Sequence, residues 1–243
     1  MLDLQEKWTL NSRPKSRTPL SLNSTYFDPR SPDWTKEIPS KVSFVELSGL
    51  LDSRWTLDLL QSVTNLHTVE IFIAEGLLQL SHPDTGLFMW PNFYCLRLDD
   101  VNCHARTVTD FLYAHKATLF DLFFQGAMFV SGSWCEPLRI MGEMPNLEHL
   151  YLCVPHERTR SSQSSASFGR FSDFSDMDAH NIHLHNNGAI LVALDALRHD
   201  FRTTFYKSYP GDDLYRVDFR LARAVIEGRA EIRDGECYLL GEE

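Results

Sequence analysis

Long apolar runs are missing from this chain of 243 residues. No stretch approaches the about 18 consecutive apolar residues of a membrane helix, so the sequence predicts no membrane partner. The opening "MLDLQEKWTLNSRPKSR" lacks the short apolar core of a secretory signal, which makes the cytoplasm or nucleus the expected location. Cysteine is scarce and unpaired in pattern. Cys95, Cys103, Cys135, Cys153 and Cys237 make an odd count of five without a CxxC spacing, which argues against both a disulfide framework and a cysteine zinc site. No GxSxG, Walker-type or paired-glycine dinucleotide fingerprint is present. The expectation is therefore a chain that is not an enzyme, with no catalytic residue and no cofactor. Basic residues are also in deficit, 23 Lys and Arg against 33 Asp and Glu, for a formal charge of −10. Residues 41–155 hold 6 of the basic and 13 of the acidic residues. A body with that field repels phosphate backbones, so nucleic acid is not an expected partner.

A repeat is present in place of those signals. Apolar residues recur at relative positions one, four and six: Val42, Val45, Leu47; Leu66, Val69, Ile71; Phe93, Leu96, Leu98; Leu119, Leu122, Phe124; Leu147, Leu150, Leu152. Positions four and six share a face of an extended strand, and the residues between them face the other way. The units begin 24, 27, 26 and 28 residues apart, the interval of solenoid repeats in which a strand is followed by a turn and a returning helix or irregular stretch. One unit cannot cover its own apolar side, whereas a stack can.

The connections agree in part. "ARTVTDFLYAHKAT" sets Val108, Phe111, Leu112 and His115 on a helical stripe. "SGSWCEPLRIMGEM" offers Ser133 and Glu136 as a capping box, with Pro137 in the first turn and Trp134, Leu138 and Met141 on one face. "DSRWTLDLLQSVT" reads as a third helix, while "GLLQLSHPDTGLFMWP" breaks at Pro-Asp-Thr-Gly and reads as a loop.

Outside the repeat, residues 1–40 are rich in Ser, Pro and Arg and read as a flexible N-terminal arm. Residues 156–187 read as a Ser-rich disordered loop, either a plain linker or, with serines beside arginines, a phosphorylation target. Residues 188–243 read as a cap. Ile190, Ala193, Leu194, Leu197 and Phe201 mark one amphipathic helix, Leu214, Val217, Leu221 and Val225 a second, and Asp234-Gly235 a hairpin turn.

The stretch "LRLDDVNCHARTVTDFLYAHKATLFDLFFQGAMFVSGSWCEPLRIMGEMPNLEHLYL", residues 96–152, resembles the leucine-rich-repeat region of F-box-like proteins of the uncharacterised fungal type. The resemblance covers residues 41–155. It implies an α/β fold, a short irregular leucine-rich-repeat solenoid of about five repeats, with a parallel sheet on the concave face and a C-terminal helical cap. It also implies a protein-protein interaction module that recognises a substrate for a ubiquitin-ligase receptor. Residues 1–40 carry no F-box-like "LPxELL" helix, so a ubiquitin-ligase adaptor is an expected partner only if an F-box stands upstream.

On that face the central column is Glu46, Glu70, Arg97, Phe123 and Tyr151, beside Ser48, Phe72, Asp99, Gln125 and Cys153. The expected partner-binding residues are Glu70, Phe72, Arg97, Asp99, Phe123, Gln125 and Tyr151. Aromatic rings beside Arg anchor protein interfaces, because a rigid ring buries much area and the guanidinium directs hydrogen bonds. The rings either receive a protein ligand or are covered by the N-terminal arm or the Ser-rich loop. A second reading uses "DAHNIHLH", where Asp178, His180, His183 and His185 could hold a divalent metal for a hydrolase. A third is a degenerate fragment without activity.

Overall fold

The computed structural model describes residues 7–11, 20–22, 42–50, 54–153, 155–158, 181–199, 205–207, 214–217, 219–233 and 236–240. Two short strands come first, β1 (Lys7–Asn11) and β2 (Leu20–Leu22). They are followed by β3 (Phe44–Leu50), α1 (Arg54–Ser62), β4 (Thr68–Glu75), β5 (Leu77–Leu78), β6 (Ser81–His82), β7 (Gly86–Leu87) and β8 (Cys95–Asp99). Next come β9 (Asn102–His104), α2 (Ala105–His115), β10 (Asp121–Gln125), β11 (Met128–Ser131) and α3 (Cys135–Met141). The remainder is β12 (His149–Cys153), β13 (His156–Arg158), β14 (Asn181–His185), α4 (Asn187–His199), β15 (Phe205–Lys207), β16 (Leu214–Val217), α5 (Arg220–Ile226), β17 (Ala230–Arg233) and β18 (Glu236–Leu239).

Among the described residues the architecture is mixed α/β with no closed barrel. The larger sheet has eight strands in the order β14-β12-β10-β8-β4-β3-β1-β2. From β3 to β12 its neighbours are parallel and follow chain order. The apolar spacing explains the register. Val45, Val69, Leu96, Leu122 and Leu150 lie opposite one another across five strands, as do Leu47, Ile71, Leu98, Phe124 and Leu152. All fifteen apolar residues of the repeat are buried, none more than 3% exposed. Because strand side chains alternate, a one-residue slip in any unit would move its pair into water, so burial fixes the pairing.

A second sheet, β15-β16-β13-β11-β9-β5, follows directly on the first. The chain passes from one to the other at residues with positive φ: Gly76 (85°) after β4, Asp100 (50°) after β8 and Gly126 (58°) after β10. These turns are stitched to each other, with the Asp100 amide donating to the Gln125 carbonyl at 2.8 Å and the Gly126 amide to that of Cys153 at 2.9 Å. A Cβ at Gly126 would stand 2.0 Å from Asp100 Oδ1, so that side chain would have to move, and the positive φ of 58° favours glycine there in any case.

Helix α2 buries Val108, Phe111, Leu112 and His115, as its stripe predicts. Trp134, Leu138 and Met141 are also buried at α3. The capping box is not formed: Trp134 is the N-cap residue and makes no side-chain cap. Glu136 instead pairs with Arg139 at 3.0 Å. The helix start is held both locally, where the Cys135 amide donates to Ser133 Oγ at 3.3 Å, and from another element, where the Trp134 amide donates to Glu157 Oε2 of β13 at 2.9 Å. Burial pushes the Glu157 carboxyl above its usual range, against the Trp134 amide, which lowers it. The Trp134 indole donates to the His156 carbonyl at 2.8 Å and stacks on Phe129 with ring centroids 4.2 Å apart. The stretch after β5 contains no helix and carries the small hairpin β6-β7 around Pro83, Asp84 and Thr85.

Three boundaries differ from the sequence reading. Asn181–His185, placed in the Ser-rich loop, is a strand antiparallel to β12, and His156–Arg158 is a strand of the second sheet. Leu214–Val217, expected to be helical, is β16; pairing on both sides with β13 and β15 outweighs its weak helical period. Lys7–Asn11 and Leu20–Leu22, within the expected flexible arm, extend the larger sheet beyond β3 as antiparallel strands. Helix α4 forms as expected, with Ile190, Ala193 and Leu194 buried. The hairpin β17-β18 pairs Arg233 with Glu236; Asp234 and Gly235, the expected turn, lie outside the described residues, together with Phe201 and residues 159–180.

Candidate functional site

The face of the larger sheet opposite the apolar one carries every expected partner-binding residue. Three in-register rows cross it. The central row runs Glu46, Glu70, Arg97, Phe123, Tyr151, and β14 extends it to His183. On one side run Phe72, Asp99, Gln125, Cys153 and Asn181. On the other run Thr68, Cys95, Asp121, His149 and His185. Ser48 falls at an irregularity between β3 and β4 and stands opposite Lys7 of β1.

From Glu70 onward the side chains of the central row meet in sequence. Arg97 Nε lies 3.4 Å from Glu70 and its Nη2 lies 3.5 Å from Asp121, so a single guanidinium is shared between two carboxylates. Its Cζ stands 5.8 Å from the centre of the Phe123 ring. Phe123 stacks on Tyr151 with centroids 4.3 Å apart and an angle of 12° between planes. Tyr151 meets the His183 ring edge-on at 5.4 Å. Parallel in-register strands produce this column, since equivalent positions on neighbours stand only about 4.8 Å apart.

Electrostatics divide the face. Burial pushes the Glu70 carboxyl up, Arg97 pulls it down, and Glu46 and Asp121 add to the upward push. Burial and then Asp100 raise Asp99. The Cys95 thiol, opposite Asp121 in its row, is pushed up to about 12, first by burial and then by Asp121. The Tyr151 phenol is also pushed up to about 12, first by its interaction with the Cys153 thiol and then by burial. The sheet thus carries its carboxylates on β3, β4, β8 and the start of β10, and its aromatic and imidazole groups on β10, β12 and β14.

The sequence offers His183 and His185, with Asp178 and His180, as metal ligands only in a second reading, which misses both their strand and their partner His149. The alternation of Ile182 and Leu184, both buried, with Asn181, His183 and His185 was the available signal, hidden by the Ser-rich surroundings. Asp178 and His180 lie outside the described residues. Nδ1 of His149 stands 3.0 Å from Nδ1 of His185, with ring centroids 5.1 Å apart. That separation places the two nitrogens on the line of centres, so one ring donates its N–H to the other's lone pair. Two ligands of one metal would instead converge on a third point. Among the described residues no group of three or more His, Cys, Asp or Glu is arranged to hold a metal. Burial, then His185 and His149, lower the His183 imidazole.

A cavity of about 630 Å³ lies elsewhere, between α3 and α4, with Leu138, Leu191, Val192 and Leu194 among its lining residues and none of the candidate residues. Among the described residues no helix is long and apolar enough to cross a membrane. No protein-family model, curated protein or solved structure matches the chain.

Proposed function

We propose that this chain is a protein-interaction module, a short irregular leucine-rich-repeat solenoid of the type found in F-box-like proteins, which holds a protein ligand on the candidate face. The observation that carries this reading is the row Arg97, Phe123, Tyr151. Three large side chains of the types that dominate interface energetics are aligned by the strand register on a half-exposed surface rather than packed into the core. In an F-box-type receptor such a face reads the substrate, and an adaptor binds through a separate F-box. The sheet supports the role mechanically as well: fifteen buried residues behind the face hold the row rigid, so little ordering entropy opposes binding.

The test is affinity capture from cells with the full chain and with the triple variant Arg97→Ala, Phe123→Ala, Tyr151→Ala, with both forms matched in thermal melting. The reading expects proteins retained by the wild type and lost by the variant. An identical retained set from both would remove this surface as the binding site.

A further inference from the structure

The charge on the candidate face is unbalanced in one direction. Glu46, Glu70, Asp99 and Asp121 stand on β3, β4, β8 and β10, and among the described side chains Arg97 on β8 divides itself between two of them, Glu70 and Asp121. The side chains of Glu70 and Asp121 retain only 17% and 25% of their exposure, whereas that of Arg97 keeps 43%. These carboxylates are thus held together in a partly dry setting where like charges are poorly screened. Asp99 supplies a second sign of an incomplete set: the carboxylate engages the Gln125 side chain, but its Oδ1 is shielded from water and accepts no hydrogen bond, and Arg97 Nε on the same face is shielded without a hydrogen-bond acceptor. A buried acceptor without a donor is costly, and an incoming donor removes that cost.

On this basis, which rests on the proposed binding role of the face, we infer that its occupant is an extended basic peptide segment that presents a Lys or Arg to the Glu46, Glu70 and Asp99 side and an apolar residue to the Phe123–Tyr151 pair. The cation completes the neutralisation that Arg97 begins, and the apolar residue covers the stacked rings. The strand spacing sets the interval between the two anchors. From the gap between β3 and β4 to that between β10 and β12 is about 14 Å at about 4.8 Å per strand, and an extended chain rises about 3.3 Å per residue. The anchors are therefore about four residues apart. The same field disfavours phosphate-bearing ligands.

The experiment selects a displayed library of random 12-residue peptides on the immobilised full chain, then measures selected peptides in solution by fluorescence anisotropy at low and high salt. Expected are sequences with Lys or Arg about four positions from a large apolar residue. Their binding weakens roughly 2- to 5-fold for each of Glu46→Gln and Glu70→Gln, weakens more than about 10-fold for Phe123→Ala, and falls with added salt. Peptides that need Phe123 and Tyr151 but are neutral or acidic would overturn the basic-segment inference and leave the binding role standing. Recovery of no peptide whose binding depends on Phe123 or Tyr151 would overturn both. The Gln variants keep the size of the side chains they replace, and equal melting temperatures confirm that any loss arises at the surface.

Discussion

Phe123 and Tyr151 are directly opposite one another on adjacent parallel strands, and their rings stack at 4.3 Å and 12° on the side of the sheet that the core does not use. A cross-strand aromatic pair contributes on the order of 0.5–1.5 kcal/mol beyond its buried area. A double-mutant cycle with Phe123→Ala and Tyr151→Ala, read by urea denaturation, is expected to give a coupling energy in that range. A coupling near zero would mean that the rings do not meet in solution.

The other side of the same strands carries the stability. Leu122 is fully buried, with Leu96 on one flank and Leu150 on the other. Leu122→Ala leaves a cavity in the middle of the stack and is expected to cost about 2–5 kcal/mol. The contrast with Phe123→Ala, one residue away and facing outward, is the measurable signature of the alternation. Equal costs at the two positions would contradict it.

Much of this division was legible in the sequence, and the reason is periodicity. Val45, Leu47 and their counterparts repeat at near-constant intervals, and a two-residue alternation within a unit admits one pairing that buries all of them. Glu70, Phe72, Arg97, Asp99, Phe123, Gln125 and Tyr151 followed as the residues between. The second sheet was not legible. Its strands run two to four residues from β5 to β13, too short to show a period, and their pairing depends on turns at Asp100 and Gly126 whose φ values no pattern announces. Helix α3 shows the same limit, since Glu157, 23 residues away, adds to the local contact that Ser133 makes with the Cys135 amide.

Those turns give a test of their own. At Gly126 a side chain meets both a positive φ of 58° and Asp100 Oδ1 at 2.0 Å. Gly126→Ala is expected to lose at least the about 1–2 kcal/mol of the left-handed conformation. The double variant Asp100→Gly, Gly126→Ala recovers the part due to the clash, readable as a partial return of the denaturation midpoint. If Gly126→Ala alone left that midpoint unchanged, the stacked-turn arrangement would be wrong.

Glu157 and His115 predict opposite pH dependences. Burial raises the folded-state value of Glu157 above its ordinary 4.5. Its contribution is therefore complete below about pH 4.5 and is lost as pH rises through the raised value. Glu157→Gln keeps an acceptor for the Trp134 amide without a charge, so the variant's stability relative to wild type is expected to improve from pH 4 to pH 7. No change in that difference over the range would contradict the buried placement.

His115 sits among Trp90, Phe93 and Phe111, with its Nε2 accepting from the Trp90 amide at 3.3 Å and its Nδ1 donating to the Phe111 carbonyl at 3.0 Å. Burial lowers its folded-state value below the ordinary 6.5. The neutral ring favours the folded state above that ordinary value, and this contribution is lost as pH falls from about 6.5 through the lowered one. A His115→Gln comparison over pH 5–8 by chemical denaturation is expected to show the wild type gaining on the variant as pH rises. A flat difference would mean that the ring is not held neutral in the core.

Methyl-resolved NMR of the full chain reaches the basis of the whole account. Parallel, in-register strands predict cross-strand NOEs linking Val69 to Leu96, Leu96 to Leu122 and Leu122 to Leu150, with all four methyl sets shielded from a soluble paramagnetic reagent. Antiparallel Hα–Hα contacts among these segments, or strong broadening of the Leu98, Leu122 or Leu152 methyls by the reagent, would contradict it.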